Sequence, residues 1–96
     1  MITSGSDGNL WFTESPGNKI GRLDPADGVT QEFTVPTVQS APWEIASGPD
    51  GALWFTERVA GKIGRITTDG SISEYAIPTP NSMPRIVQSR RLTRTL

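Results

Sequence analysis

The sequence predicts an all-β chain of four-stranded antiparallel blades of β-propeller type, about two blades in extent. Three observations carry this. Asp7-Gly8-Asn9-Leu10-Trp11-Phe12-Thr13-Glu14 returns forty-three positions later as Asp50-Gly51-Ala52-Leu53-Trp54-Phe55-Thr56-Glu57, and Lys19-Ile20-Gly21-Arg22 returns as Lys62-Ile63-Gly64-Arg65. A period of roughly 40 to 50 residues made of short apolar runs is that of one propeller blade. Ten Gly and eight Pro among 96 residues favour turns and short strands over helices.

The second unit shows the strand plan. Its innermost strand, Ile45-Ala46-Ser47, is followed by Gly48-Pro49-Asp50-Gly51, a turn that joins antiparallel strands. Strand two, Ala52 to Glu57, alternates Leu53 and Phe55 with Trp54 and Thr56, so both faces carry bulk and both need cover. Trp11 and Trp54 are therefore read as core packing rather than as a ligand platform. A loop from Arg58 to Gly61 leads to strand three, Lys62 to Ile66, where Gly64 leaves room for a large ring such as Trp54. Thr68-Asp69-Gly70 turns the chain into strand four, Ile72 to Ile77, with Tyr75 and Ile77 on one face, suited to an outer, half-wet strand.

The first unit repeats this plan, with Phe33 and Val35 at the Tyr75 and Ile77 places and one extra residue in the turn Asp24-Pro25-Ala26-Asp27-Gly28. Ile2-Thr3-Ser4-Gly5 matches the innermost strand, so the expected division is a first blade over 1–37, a second over 38–79, and the start of a third over 80–96. That third unit diverges into an Arg-rich tail. From about Ile86 it lacks the turn glycines and Trp of the repeat, as expected of a frame change or gene break in a longer repeat protein.

Net charge is -1, but residues 1–84 hold all ten acidic groups and only five of the nine basic ones. Arg85, Arg90, Arg91 and Arg94 fall in the last twelve residues without an aromatic side chain to stack on bases, which argues against a nucleic-acid partner. With no Cys there is neither a disulfide nor a thiolate metal site. No apolar stretch is long enough for a signal peptide or a membrane span, so no membrane partner is expected and a cytoplasmic location is.

Gly-Pro-Asp-Gly-Ala-Leu-Trp-Phe-Thr-Glu (48–57), Lys-Ile-Gly-Arg-Ile-Thr-Thr-Asp-Gly (62–70), Ile-Ser-Glu-Tyr (72–75) and Ile-Pro-Thr-Pro-Asn (77–81) closely resemble the repeats of the virginiamycin B lyase (streptogramin B lyase) family. The resemblance covers nearly all of residues 1–85. It implies two blades of a seven-bladed propeller that linearises type B streptogramin antibiotics by eliminating the ester, an antibiotic-resistance activity. It further implies Mg²⁺ to polarise the ester side and a His as general base, both carried in Pro-His loops between one blade's outer strand and the next blade's inner strand.

In this sequence those loops read Ala41-Pro42-Trp43 and Met83-Pro84-Arg85. Trp43 and Arg85 stand where the family places imidazole, and Ala41 and Met83 stand at the position of its metal-binding Glu. The whole chain contains no His. The expectation is therefore no catalytic or metal residue and no cofactor in this fragment, and no activity from the isolated chain.

Five residues remain as substrate-side candidates. Trp43 breaks the repeat register in a loop on the expected active surface, for stacking on substrate or for an inter-blade contact. Glu44 beside it is a single carboxylate, too little for a metal site. Arg85 is placed to pair with an anionic group or else belongs to the tail. Glu14 and Glu57 end strand two, either as solvated strand ends or as cation or ligand contacts. The alternative functions are a non-catalytic repeat module for ligand or protein binding, and a blade unit that assembles with copies of itself through exposed edges.

Overall fold

The computed structural model describes residues 1–79 together with Pro84 and Arg85. Two four-stranded antiparallel sheets account for it. The first is β1 (Ile2–Ser4), β2 (Leu10–Glu14), β3 (Lys19–Leu23) and β4 (Thr30–Thr34); the second is β5 (Pro42–Ser47), β6 (Leu53–Glu57), β7 (Lys62–Ile66) and β8 (Ile72–Ala76). Each sheet runs in chain order, so every neighbour is a hairpin partner. The expected third unit and the Arg-rich tail from Ile86 lie outside the described residues.

The repeated residues explain themselves at the first turn of each sheet. Asp50 accepts hydrogen bonds from the Ala52 backbone NH (3.1 Å) and the Trp54 indole NH (3.2 Å), and its second oxygen takes the Arg65 Nε at 2.9 Å. Asp7 does the same for Asn9 and Trp11, each at 3.1 Å. A Cβ on Gly48 would lie 2.3 Å from the Trp54 indole nitrogen, so the glycine before the turn exists to let the ring lie against the backbone. Arg65 holds the Asp50 carboxyl down at about 2, helped by the Ala52 and Trp54 donors.

Gly64 serves a ring other than the one expected. A Cβ there would sit 2.1 Å from Phe55 Cζ, and one on Gly21 would sit 2.2 Å from Phe12. Phe55 pairs directly with Gly64 across the strands, whereas Trp54 pairs with Arg65 on the opposite face. The alternation of strand two decides this, because only residues on one face share a cross-strand neighbour.

The two sheets stack with the Trp11 face of the first against the Phe55 face of the second. Trp11, Ile20 and Val35 from one side and Ile45, Leu53, Phe55 and Ile66 from the other form a single buried cluster, with Phe33 and Ile72 at its margin. Polar ties cross the same interface: Arg22 Nη1 donates to the Thr68 carbonyl at 2.8 Å, Ser6 Oγ to that of Gly51 at 2.8 Å, and Ser47 Oγ to that of Ser4. The crossover between the sheets is pinned by Asn18. Its amide NH₂ donates to the Val35 and Thr37 carbonyls, and its oxygen accepts from both the NH and the Oγ of Ser40.

The expectation that both tryptophans are core holds for one of them. Trp11 is fully buried, but Trp54 is only half-buried and stacks on Tyr75 at 6.0 Å on the outward face of the second sheet. That face has no neighbouring sheet among the described residues, and neither has the Phe12 face of the first. The identical strand Leu-Trp-Phe-Thr-Glu thus buries Trp in one copy and Leu, Phe, Thr and Glu in the other.

Candidate functional site

Antiparallel pairing of Pro42 with Glu57 brings the start of β5 and the end of β6 to one end of the second sheet. The crossover arrives there through two left-handed residues, Gln39 (φ 52°) and Ala41 (φ 58°), and is tied to the β6–β7 hairpin. The Arg58 NH donates to the Ala41 carbonyl at 3.1 Å and the Val59 NH to that of Ser40 at 3.0 Å. Between Pro42 and Ile45 the pairing register slips by a bulge, a device that re-aims side chains at sheet ends. Trp43 is the residue so aimed. It belongs to strand β5, not to a loop as expected, and the bulge accounts for its break in register.

Trp43 is 48% exposed. The Thr13 hydroxyl bonds its carbonyl at 3.0 Å, Thr56 Oγ1 accepts the NH of Glu44 at 3.0 Å, and the Arg58 guanidinium lies 4.7 Å from its ring centroid. Trp43, Glu44, Arg58, Pro84 and Arg85 line a cleft of ≈ 350 Å³. A second hollow of ≈ 340 Å³, lined by Met1, Thr13, Ser15 and Trp43, adjoins the same indole. The cleft offers one aromatic plane, two guanidinium groups and one carboxylate. Such a set suits a ligand with an aromatic or amide face and carbonyl or anionic oxygens.

Of the five candidate residues, the structure brings together Trp43, Glu44 and Arg85 and leaves Glu14 and Glu57 outside the cleft. Met83 lies outside the described residues. Arg58 is the member that sequence reasoning missed. The signal was present, since Ser15 stands at its place in the first copy and a departure between copies is where a repeat acquires something new.

Glu57 is not a solvated strand end; it is fully buried. Burial pushes its carboxyl up to about 8, and the neighbouring Glu74 reinforces the shift. Glu74 moves the other way: despite its own desolvation, hydrogen bonds from Glu57 and Thr37 and the Lys62 charge leave it below the usual range. As two carboxylates the pair has three buried oxygens without a donor, and a proton on Glu57 supplies one. Glu14, its counterpart in the first sheet, is only half-buried and is also pushed up, by desolvation and by Glu32.

The resemblance implies Mg²⁺, which needs several oxygen ligands converging on one point. No group of three or more Asp, Glu, His or Cys side chains among them is arranged to hold a metal, and Glu44 is the one carboxylate lining the cleft. This donor set does not fit the ion.

The model of the virginiamycin B lyase family matches residues 1–91. Virginiamycin B lyase from Bordetella parapertussis is 48% identical over 44 residues, covering 46% of this chain and 14% of that protein. A solved streptogramin B lyase superimposes with a TM-score of 0.84 at 58% identity, over 86% of this chain and 28% of that one. A catalytically inactive virginiamycin B lyase from Staphylococcus aureus, solved with quinupristin, matches with the same TM-score and coverage at 54% identity. The chain therefore spans little more than a quarter of the solved relatives.

Proposed function

The chain belongs to the virginiamycin B lyase family, and from that premise we propose that it supplies two blades, 1–37 and 38–79, of a streptogramin-facing propeller without itself catalysing the elimination. The Trp43 cleft is then part of the wall that receives the antibiotic. The observation that carries this reading is the stack of Arg58 on Trp43 beside Glu44 and Arg85, at the end of the blades where the crossover enters. A planar aromatic under a cation is a rigid platform for one face of a cyclic peptide, and the second guanidinium is placed for its carbonyl oxygens.

Two features argue against turnover by this chain. Removing a proton from the substrate requires a base of suitable pKa that can touch it, and the sequence has no His. Glu57 titrates in the right range but is sealed inside the second sheet and does not line the cleft. A site to which several blades contribute also loses its positioning when only two are present.

Incubation of the purified chain with quinupristin and Mg²⁺, followed by mass spectrometry, should give no linear product above a protein-free control. Quinupristin should nevertheless alter tryptophan emission. Product formation would contradict the inactivity, and unchanged emission would remove the cleft from the reading. The cleft is built within this one chain, which also favours a second reading: a non-catalytic module that binds a ligand and breaks no bond. Binding of an unrelated cyclic peptide as tightly as quinupristin would support it.

A further inference from the structure

The internal interface of this chain specifies a second one. Within the chain, the face of Trp11, Ile20 and Phe33 covers the face of Ile45, Phe55 and Ile66. The repeat places Trp54, Ile63 and Tyr75 on the outward side of the second sheet, at the positions of the first set. It places Ile2, Phe12 and Leu23 on the outward side of the first sheet, at the positions of the second set. Among the described residues, each copy thus carries one uncovered half of a known contact on either side.

We propose that copies of this chain dock head to tail, the Trp54 face of one covering the Phe12 face of the next as the Trp11 face covers the Phe55 face internally. Burial marks the unfinished state of both halves. Ile2 is 59% exposed where its counterpart Ile45 is 3% exposed, and Tyr75 is 50% exposed although it already stacks on Trp54. Gly70 shows what fills the equivalent gap. The Phe33 ring sits in the space its Cβ would occupy, 2.4 Å from that position, whereas a Cβ on Gly28, the matching turn glycine of the first sheet, would meet nothing within 4 Å. Tyr75, the counterpart of Phe33, is the ring placed to enter that space from a neighbouring copy.

Polar groups agree with the apolar match. Ser47 Oγ bonds the Ser4 carbonyl across the internal interface, and the same two residues, with roles exchanged, face a neighbouring copy: Ser4 Oγ toward the Ser47 carbonyl. The contact is heterologous, so it propagates until rotation closes a ring or continues open. Because each copy brings two sheets, a closed ring holds an even number of blades. The docking does not depend on what the Trp43 cleft binds.

Sedimentation velocity of the full chain from micromolar to millimolar concentration tests this. The unsubstituted chain should associate, whereas Ile2→Lys, blocking one face, and Tyr75→Lys, blocking the other, should each be monomeric. Mixed together, the two variants should form a heterodimer and stop there, because each retains the live face the other needs. Thr30→Lys and Ser73→Lys, at exposed positions on the same two faces, provide a second pair with the same expected result, and circular dichroism identifies any variant that has lost its sheets. A wild-type chain that stays monomeric at millimolar concentration overturns the proposal. So does an Ile2→Lys variant that still dimerises, since that would mean like faces pair with like.

Discussion

Glu57 and Glu74 are neighbouring carboxyl groups on the Phe55 face of the second sheet, with Glu57 wholly buried and Lys62 acting on both. Two carboxyl groups so placed hold one proton between them. Glu57 keeps it at neutral pH and Glu74 remains the acceptor, also taking the Thr37 hydroxyl at 3.0 Å. Thr37 in turn accepts from Lys62 Nζ at 2.9 Å, so the crossover is tied to the second sheet through the same cluster.

The pH dependence of stability follows. Glu57 has a folded pKa raised from 4.5 to about 8, so the folded chain binds more protons than the unfolded one across that window and stability falls as pH rises through it. Glu74, Asp7, Asp50 and Asp69 are lowered, and their contributions are lost only at pH below their ordinary values. The expected optimum is mildly acidic. Glu57→Gln should flatten the slope between pH 5 and 8 and raise the melting temperature at pH 8 by roughly 4–8 °C, as about 1 kcal/mol does in a domain of this size. Thermal unfolding at fixed protein concentration reads both, and a Glu57→Gln slope equal to wild type would show that the proton resides elsewhere.

Gly64→Ala should destabilise by about 1–3 kcal/mol, the usual cost of overpacking a filled core. The new methyl has no place to go, since Phe55 is buried beneath the neighbouring sheet. Gly21→Ala meets the same geometry under Phe12, but that ring is half-buried and free to swing outward, so the cost should be smaller in the monomer. Urea unfolding of the two variants under monomeric conditions compares them directly. Equal costs would mean that the rings are equally confined.

Asp50→Ala should weaken the second sheet more than Asp50→Asn. Asparagine retains an oxygen for the Ala52 NH and the Trp54 indole and loses the charge on Arg65, whereas alanine loses all three partners. The order of unfolding midpoints, wild type above Asn above Ala, is the expected result. If the two variants unfold together, the Arg65 pair alone holds the turn.

Trp43→Ala should reduce quinupristin affinity by roughly tenfold, in line with a cation–aromatic stack worth about 1 kcal/mol or slightly more. Arg58→Ala should act in the same direction. Because Trp43 is half exposed and lies at the sheet end, neither change should move the melting temperature appreciably. Titration calorimetry beside thermal unfolding separates the effects, and an unchanged affinity for Trp43→Ala would place the ligand elsewhere.

The candidate site was legible in part. Trp43, Glu44 and Arg85 stood out because they replace or flank the residues a related loop would carry, and the cleft unites them. Arg58 escaped notice because it reaches Trp43 only when the β6–β7 hairpin folds beside the start of β5. Glu57 was misjudged for a related reason. A Glu at the end of a strand is normally wet, but Glu57 is buried where the crossover, through Ser40 and Thr37, joins the Glu74 and Lys62 cluster, and none of these is its neighbour in sequence except Lys62.

Strands and turns were readable along the chain because their causes are local. Alternation fixes the faces, Asp caps its own turn two residues on, and glycine marks the bends. Dryness is not local. Leu-Trp-Phe-Thr-Glu occurs twice with the same register against Lys-Ile-Gly-Arg, yet Trp11 is sealed and Trp54 is half open, while Phe55 is sealed and Phe12 is not. Trp and Phe exchange burial between the copies because, among the described residues, each sheet has a neighbouring sheet on one side only, and which side that is depends on how the two sheets stack.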